Sequence, residues 1–230
     1  MSVVTISREF GSLGSLVAEG AARTLGYHLA DKTTIETILK DYGLVQFTRE
    51  YDSIPGFWER FDAQKREERQ NHINMLNNCI CAMAHHGNVV IVGRGGFAVL
   101  ADLDDVLHVR IQAPSSVRAR RLLEAPGIAD PGLAELAVRK NDHLQQQFIK
   151  TVYGREWDTA KAFDLVINTG KIPPGLAAEM IVQAARGLKS AETGGKHTSA
   201  DLPVDKILCE VVAEVLKPPA AHAQSHVRAG

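Results

Sequence analysis

The residues best suited to chemistry fall at a few separated points of the chain. Near the N-terminus, Arg8-Glu9-Phe10-Gly11-Ser12-Leu13-Gly14-Ser15 separates an apolar run from a helical one. Gly11 and Gly14 let the backbone approach an anion closely, and Ser12 and Ser15 offer hydroxyl donors. Asp31 follows a short run ending in Leu29-Ala30, and Arg94 lies inside Gly93-Arg94-Gly95-Gly96. Arg118, Arg120 and Arg121 crowd one short window, more guanidinium than ordinary solvation needs. A guanidinium is a planar fork of donors matched to phosphate. Glycine, hydroxyl and arginine in this pattern point to the holding of a phosphate or another anion.

Such groups act only if secondary structure delivers them to one place. Val3-Val4-Thr5-Ile6 reads as a buried strand, and Leu16, Val17, Ala21 and Leu25 recur near helical spacing up to a stop at Gly26. A strand, a Gly/Ser turn and a helix make a phosphate cradle, because free N–H groups and the positive end of the helix dipole meet there. The spacing departs from G-x-x-x-x-G-K-[ST], and residues 2–25 contain no lysine. The same residues therefore also suit a tight βα turn whose glycines serve geometry alone. Residues 27–30 form a second strand, with Asp31 or Thr33 capping a helix that runs to about Tyr42. Asp31 is either a ligand group at a strand end or a cap only.

Residues 88–92 are a nearly continuous β-branched run, the pattern of a central parallel strand, and they offer Arg94 at its C-terminal end. Residues 106–111 form another strand, and Pro114 suits the first turn of a helix over 115–124. Arg118 and Arg121 share one face of that helix. A polar helix over 133–152 carries Arg139, Lys140, Asp142, His143 and Lys150. Residues 163–169 are the last strand and 176–188 the last core helix. Five strands alternating with helices predict a parallel sheet with right-handed crossovers.

Residues 45–72 differ in character, with Phe47, Tyr51, Phe57, Trp58 and Phe61 beside Arg49 and Arg60. They suit either a lid over a planar anionic ligand or a helical subdomain whose aromatics pack on the core. The mixed charges of residues 65–69 read as a solvated helix face, and 72–86 as an apolar helix ending in His85-His86. Residues 190–203 read as a linker, 204–217 as an isolated amphipathic helix able to dock on the body or a partner, and 218–230 as a disordered tail.

A chain of 230 residues, 45% hydrophobic, can build one good core. A net charge of −1 argues against broad binding to nucleic acid or anionic membranes, so an anionic ligand must be held by local positive charge. Cys79, Cys81 and Cys209 are few and odd in number, as buried thiols of a reducing compartment would be. With no leader-like segment and no apolar run of membrane-spanning length, a cytoplasmic protein is expected. No feature of the sequence sets an oligomeric state.

Taken together, TISREFGSLGSLVAEGAARTLG, the Asp31-Lys32 pair, VVIVGRGGFAVL, LHVRIQAPSSVRARRLLE and YGREWDTAKAFDLVINTGKI resemble the cytidylate kinase-like family of P-loop nucleoside-monophosphate kinases. The likeness covers roughly residues 2–188. It implies an α/β fold: a P-loop kinase-like three-layer α/β/α domain over 1–189, built on a five-stranded parallel sheet. It further implies a helical acceptor-binding insert at about 45–86 and a lid helix within about 124–156. It implies phosphoryl transfer from ATP, with Mg²⁺, to a nucleoside monophosphate such as CMP or a related small acceptor. By the same resemblance Gly11, Ser12, Gly14 and Ser15 cradle the donor phosphates with Arg8 nearby, and Ser15 or Ser12 reaches Mg²⁺. Asp31, Arg60 and Arg94 hold the acceptor, Arg94 on its phosphate, and Arg118 contacts phosphate or base.

Two departures bear on activity. The family's Gly-Ser-Gly-Gly-Arg turn is here Gly11-Ser12-Leu13-Gly14-Ser15, and its Asp-Arg-x-Arg lid pattern is Asp142-His143-Leu144-Gln145. Losing one preorganised partner of transition-state charge commonly costs about 3–4 kcal/mol. Arg8, Arg94, Arg139, Lys140 and Lys150 remain as substitute cations. The sequence thus supports a working kinase, or a weakened member that binds a nucleotide as a sensor or interaction module.

Overall fold

The computed structural model describes residues 2–43, 64–190 and 197–217. The aromatic stretch with Arg49 and Arg60 lies outside them, as does the C-terminal tail.

Strand β1 (Val3–Arg8) is the centre of a five-stranded sheet. The others are β2 (His28–Ala30), β3 (Val89–Val92), β4 (Val106–Gln112) and β5 (Leu165–Asn168). Their order is β2-β3-β1-β4-β5, and every pairing is parallel. Val3 stands opposite Val89 on one side and Val106 on the other, so the three central strands start level. Helices α1 (Gly14–Leu25), α2 (Lys32–Asp41), α3 (Gln64–His86), α4 (Gly96–Val99), α5 (Ser115–Glu124), α6 (Pro131–Tyr153), α7 (Pro174–Ser190) and α8 (Lys206–Val215) cover it.

Strand alternation builds two cores. Val4, Ile6, Val90, Val92, Leu107, Val109 and Ile111 face α1 and α7, where Ala18, Ala21, Ala177 and Ala178 let the two helices lie close. Val3, Val89, Ile91 and Val106 face α2, α3 and α8 through Ile35, Leu39, Leu76 and Met83. The result is the expected three-layer α/β/α sandwich. β1 leads into α1 on one face and β3 into α4 on the other, which opens a crevice at the C-terminal ends of these neighbouring strands.

The helix that sequence alone isolates as an appendage shares the main core. Leu208, Val212 and Leu216 are buried beside α2 and α3. The Asp105 carboxylate anchors the segment before it, accepting from the Ser199 amide at 2.8 Å and its hydroxyl at 2.6 Å. A stripe of apolar residues says that a face is buried but not against what. The thiol of Cys79 sits in the same core, pushed up to about 12 by burial and then by Cys81. Among the described residues no helix is long and apolar enough to cross a membrane.

On the second face the strands grade from apolar to polar toward their C-terminal ends. Thr5 pairs with His108 and Ser7 with Arg110. His108 Nδ1 lies 2.7 Å from Thr5 Oγ1, and its ring is buried. Burial holds its pKa below the ordinary value, with Asp164 acting in opposition.

Two measurements follow. Leu208→Ala is expected to destabilise the whole domain by about 2–5 kcal/mol in chemical denaturation, because α8 is core. A small effect confined to the C-terminus would contradict that packing. In the unfolded chain a histidine protonates from about pH 6.5 downward, whereas buried His108 resists. Stability is therefore full above that pH and falls as pH drops through it, with His28, lowered by burial beside His86, acting in the same direction. His108→Asn is expected to flatten this slope.

Candidate functional site

Five consecutive carbonyls after β1 are turned toward protein donors. Glu9 O accepts from the Ser12 amide at 3.1 Å and Leu13 O from the Val17 amide at 3.1 Å. Phe10 O accepts from Arg118 Nη1 at 3.3 Å, Gly11 O from Arg121 Nη1 at 3.2 Å, and Ser12 O from Thr169 Oγ1 at 2.6 Å. A peptide that points its C=O one way shows its N–H the other way. The amides of Gly11, Leu13, Gly14 and Ser15 have no acceptor among the described residues, and α1 begins at Gly14 with no side-chain cap and no acidic residue in its first turn. The loop and the helix start thus present a concave array of N–H dipoles of one sign.

Local conformation accounts for the shape. Gly11 has φ +79°, and a Cβ there would press on Arg118 Cβ at 3.1 Å. Leu13 occupies the left-handed region at φ 60° and ψ 20° and is 37% exposed. A Cβ on Gly14 would collide with Arg8 Cβ. Ser12 is fully buried, and its Oγ has no hydrogen-bond partner among the described residues, whereas Ser15 is exposed.

Behind the loop lies a buried charge network that sequence reasoning missed. Glu9 Oε1 accepts from Arg110 Nη2 at 3.1 Å, and Oε2 accepts from the Ala113 amide at 3.0 Å and lies 3.3 Å from Arg118 Nε. Arg110, 3% exposed, stacks on the Trp157 ring at 4.3 Å and donates to the Trp157 carbonyl. Trp157 Nε1 in turn donates to Ser7 Oγ at 2.8 Å. Burial pulls the Arg110 pKa down, and Glu9 works against it. Arg118, 4% exposed, donates through Nε to Ala113 O at 2.9 Å and through both terminal nitrogens to the Asp142 carboxylate at 2.8 Å each. Burial opposes its charge, but Asp142 and Glu9 outweigh burial, and its pKa lies above the usual value. The available signals were a charged residue inside the apolar run VLHVRIQ and the Tyr-Gly-x-x-Trp order.

The structure gathers Arg8, Gly11, Ser12, Gly14, Ser15 and Arg94 at the ends of β1 and β3. The side chain of Arg8 runs from Gly14 to Gly93, where its guanidinium fills the space a Cβ would need. Arg94 adopts φ 55° and is half-buried at the turn after β3. Gly95 lies against the Tyr153 ring at the end of α6, and Tyr153 donates to Asn77 Oδ1 at 2.9 Å. Asp31 caps α2, accepting from the Thr34 amide at 3.0 Å. Arg118 and Arg121, expected toward an anion, both face loop carbonyls. Lys140 is exposed on α6, Lys150 pairs with Glu156 at 2.8 Å, and Arg139 pairs with Glu135 at 2.9 Å. Arg60 lies outside the described residues. Among the described residues no group of three or more His, Cys, Asp or Glu converges as a metal site.

A cytidylate kinase from Ignicoccus hospitalis is 29% identical over 185 residues, covering 79% of this chain and 97% of that protein. A uronate isomerase from Corynebacterium glutamicum is 28% identical over 123 residues, 53% of this chain but only 22% of the isomerase. Among solved structures, an uncharacterized protein from Eubacterium ventriosum superposes with TM-score 0.58 at 22% identity, covering 83% of this chain and all (100%) of that one. TT1252 from Thermus thermophilus gives 0.50 at 16% identity, covering 83% and 98%. These two likenesses concern the fold. The model of the cytidylate kinase-like family matches residues 3–171, from the first strand through the Asn-Thr end of the last. With this match over most of the chain and its five-stranded parallel sheet, the chain belongs to the cytidylate kinase-like family, whose chemistry is phosphoryl transfer of the nucleotide-kinase type.

Proposed function

We propose that the protein transfers the terminal phosphoryl group of ATP to a nucleoside monophosphate such as CMP, or to a related small phosphate acceptor. The observation that carries this reading is the loop after β1: the carbonyls of residues 9–13 are held by protein donors, while the amides of Gly11, Leu13, Gly14 and Ser15 have no acceptor among the described residues at the start of α1. Phosphoryl transfer needs positioning and charge neutralisation more than covalent chemistry, and preorganised N–H groups supply both. The amides of Gly11, Leu13, Gly14 and Ser15 would hold the donor phosphates. The donor set also suits a nucleotide-borne cation. Glu9 is committed to Arg110, Ala113 and Arg118, and Ser15 offers an exposed hydroxyl beside the phosphates. Mg²⁺ bound with the nucleotide would neutralise phosphate charge there. Arg8 places a guanidinium between the loop and the turn after β3, and Arg94 with Asp31 would address the acceptor, together with Arg60 of the insert. α6, with Lys140, would serve as the lid.

A second reading has its own observation. Ser15, His143 and Gln145 stand where the family pattern places arginine, and Arg118, Arg121, Arg139 and Lys150 all engage protein groups. The chain would then bind nucleotide tightly and transfer phosphate slowly, as a sensor or interaction module.

Titration calorimetry with ATP and Mg²⁺ is expected to show binding in either case, and a coupled assay over a panel of monophosphates separates them. Turnover on the order of 1–100 s⁻¹ is the kinase result. Saturable binding without turnover is the sensor result. In that case Ser15→Arg combined with His143→Arg and Gln145→Arg should gain activity. Folded protein that neither binds nor turns over would remove both readings.

Gly14→Ala tests the loop itself. The new Cβ meets Arg8 Cβ, so the loop must shift. Overpacking of this kind costs about 1–3 kcal/mol. Affinity for ATP is expected to fall about tenfold or more with the circular dichroism spectrum unchanged. Undiminished affinity would place the nucleotide elsewhere.

A further inference from the structure

We infer that Asp142 on α6 and Arg118 on α5 form a latch through which the seating of α6 sets the shape of the phosphate loop; Asp142 is a positioning residue that touches no substrate. The inference rests on the reading of that loop as a phosphate cradle.

The geometry is that of one rigid fork serving four groups. Arg118 Nη1 donates to Phe10 O at 3.3 Å and also to Asp142 Oδ1 at 2.8 Å. Nη2 completes the bidentate pair with Oδ2 at 2.8 Å, and Nε is fixed by Ala113 O at 2.9 Å with Glu9 Oε2 at 3.3 Å. Because the guanidinium is planar and rigid, it cannot follow Asp142 without dragging the donor that holds Phe10 O. The loop also lies flush on this residue, since a Cβ on Gly11 would stand 3.2 Å from the Arg118 carbonyl. If α6 lifts, a buried guanidinium is left with Glu9 as its remaining carboxylate partner and must reorient. Phe10 O is then released and can turn toward the hollow, where its dipole repels a phosphate.

The pair is not needed to seat α6. Ala119, Ala134 and Val138 already pack the two helices together, with Leu122, Leu123 and Ile128 around them. Buried ion pairs contribute little to stability compared with apolar packing, and the register they impose is the better-attested use. The Asp142 carboxylate, 25% exposed, has its partner within the fold, at 2.8 Å from Arg118 Nη2.

The test compares the full-length protein with Asp142→Asn, which keeps the shape and removes the charge. Glu135→Gln is the control, because it breaks the exposed ion pair to Arg139 on the same helix. Amide exchange on ligand-free protein reads the Ser12 and Ala113 amides, held by Glu9 O and by the Glu9 carboxylate. In Asp142→Asn both are expected to exchange about tenfold faster with little change in the global unfolding midpoint, and neither changes in Glu135→Gln. Calorimetry with ATP and Mg²⁺ is expected to show about tenfold weaker binding in Asp142→Asn alone, with KM rising more than kcat falls. Should Asp142→Asn not fold, Asp142→Glu, which moves the charge out of register by one methylene, is read in the same two assays. Unchanged exchange at both amides overturns the latch, as does acceleration spread evenly through β1 and β4, which would report general destabilisation. Faster exchange with undiminished ATP affinity overturns the positioning role. If the wild-type protein binds no nucleotide, the proposed function falls, and the exchange comparison alone still decides whether the latch exists.

Discussion

The orientation of five peptide groups governs the site. In residues 9–13 each carbonyl is engaged by a donor of the protein, two of them by arginines and one by a threonine hydroxyl. Amide and carbonyl are rigidly opposed across a planar peptide, so gripping the oxygens fixes the hydrogens. The attraction for an anion then comes from backbone dipoles that need no reorganisation when the ligand arrives. It also explains why guanidiniums sit behind the loop. They are the frame that turns the peptides, and a frame must itself be held. Arg118 is held by Ala113, Asp142 and Glu9, and Arg121 by the Thr169 carbonyl at 2.7 Å.

Holding charge inside a protein requires counter-charge and donors in fixed places. The sheet supplies the places. On the face that packs α2, α3 and α8, β1 and β4 begin apolar, at Val3 and Val106, and end polar, at Thr5 and Ser7 on β1 and at His108 and Arg110 on β4, while β3 stays apolar through Ile91. Arg110 is sandwiched between Glu9 and the Trp157 ring, which satisfies the charge from one side and covers it from the other. Only the C-terminal half of one face pays this desolvation cost, and it is the half beneath the loop. The opposite face stays apolar through Val4 and Ile6 on β1 and as far as Ile111 on β4, and lets α1 and α7 pack close.

The elements were legible because their signals are local. Alternating and near-continuous apolar runs marked the strands, and the helix over Ser115–Glu124 follows directly from Pro114 at its cap and an unbroken helical pattern. Sequence offered Asp31 or Thr33 as the cap of α2, and in the structure Asp31 is the one that caps it. What sequence could not show was direction. Arg118 and Arg121 share a face, but spacing does not say whether that face looks toward solvent, ligand or the protein's own carbonyls. The answer depends on Phe10, Gly11 and Thr169, which are distant in sequence. Glu9 was passed over for the same reason, since a lone glutamate beside a glycine turn carries no pattern until Arg110 and Ala113 are folded against it. Likewise α8 announced an apolar stripe, and only the fold names Ile35, Leu76 and Met83 as what it covers.

The departures from the family pattern separate two contributions that usually travel together. Leu13 stands where the pattern has glycine, yet it keeps the left-handed conformation at φ 60° and is exposed. For a residue with a Cβ that conformation costs about 1–2 kcal/mol. The loop accepts the strain because its shape is imposed from behind by Arg118, Arg121 and Thr169, not by glycine's freedom alone. The shape of the cradle therefore survives substitution. Its charge does not, since Ser15, His143 and Gln145 bring no permanent cation where arginines would stand. On the proposed reading, a site with intact dipoles and reduced formal charge would bind phosphate through short-range N–H geometry more than through long-range attraction. Its discrimination then falls to whatever fixes the loop peptides, and so to the buried carboxylates of Glu9 and Asp142 that hold the guanidinium of Arg118 in place.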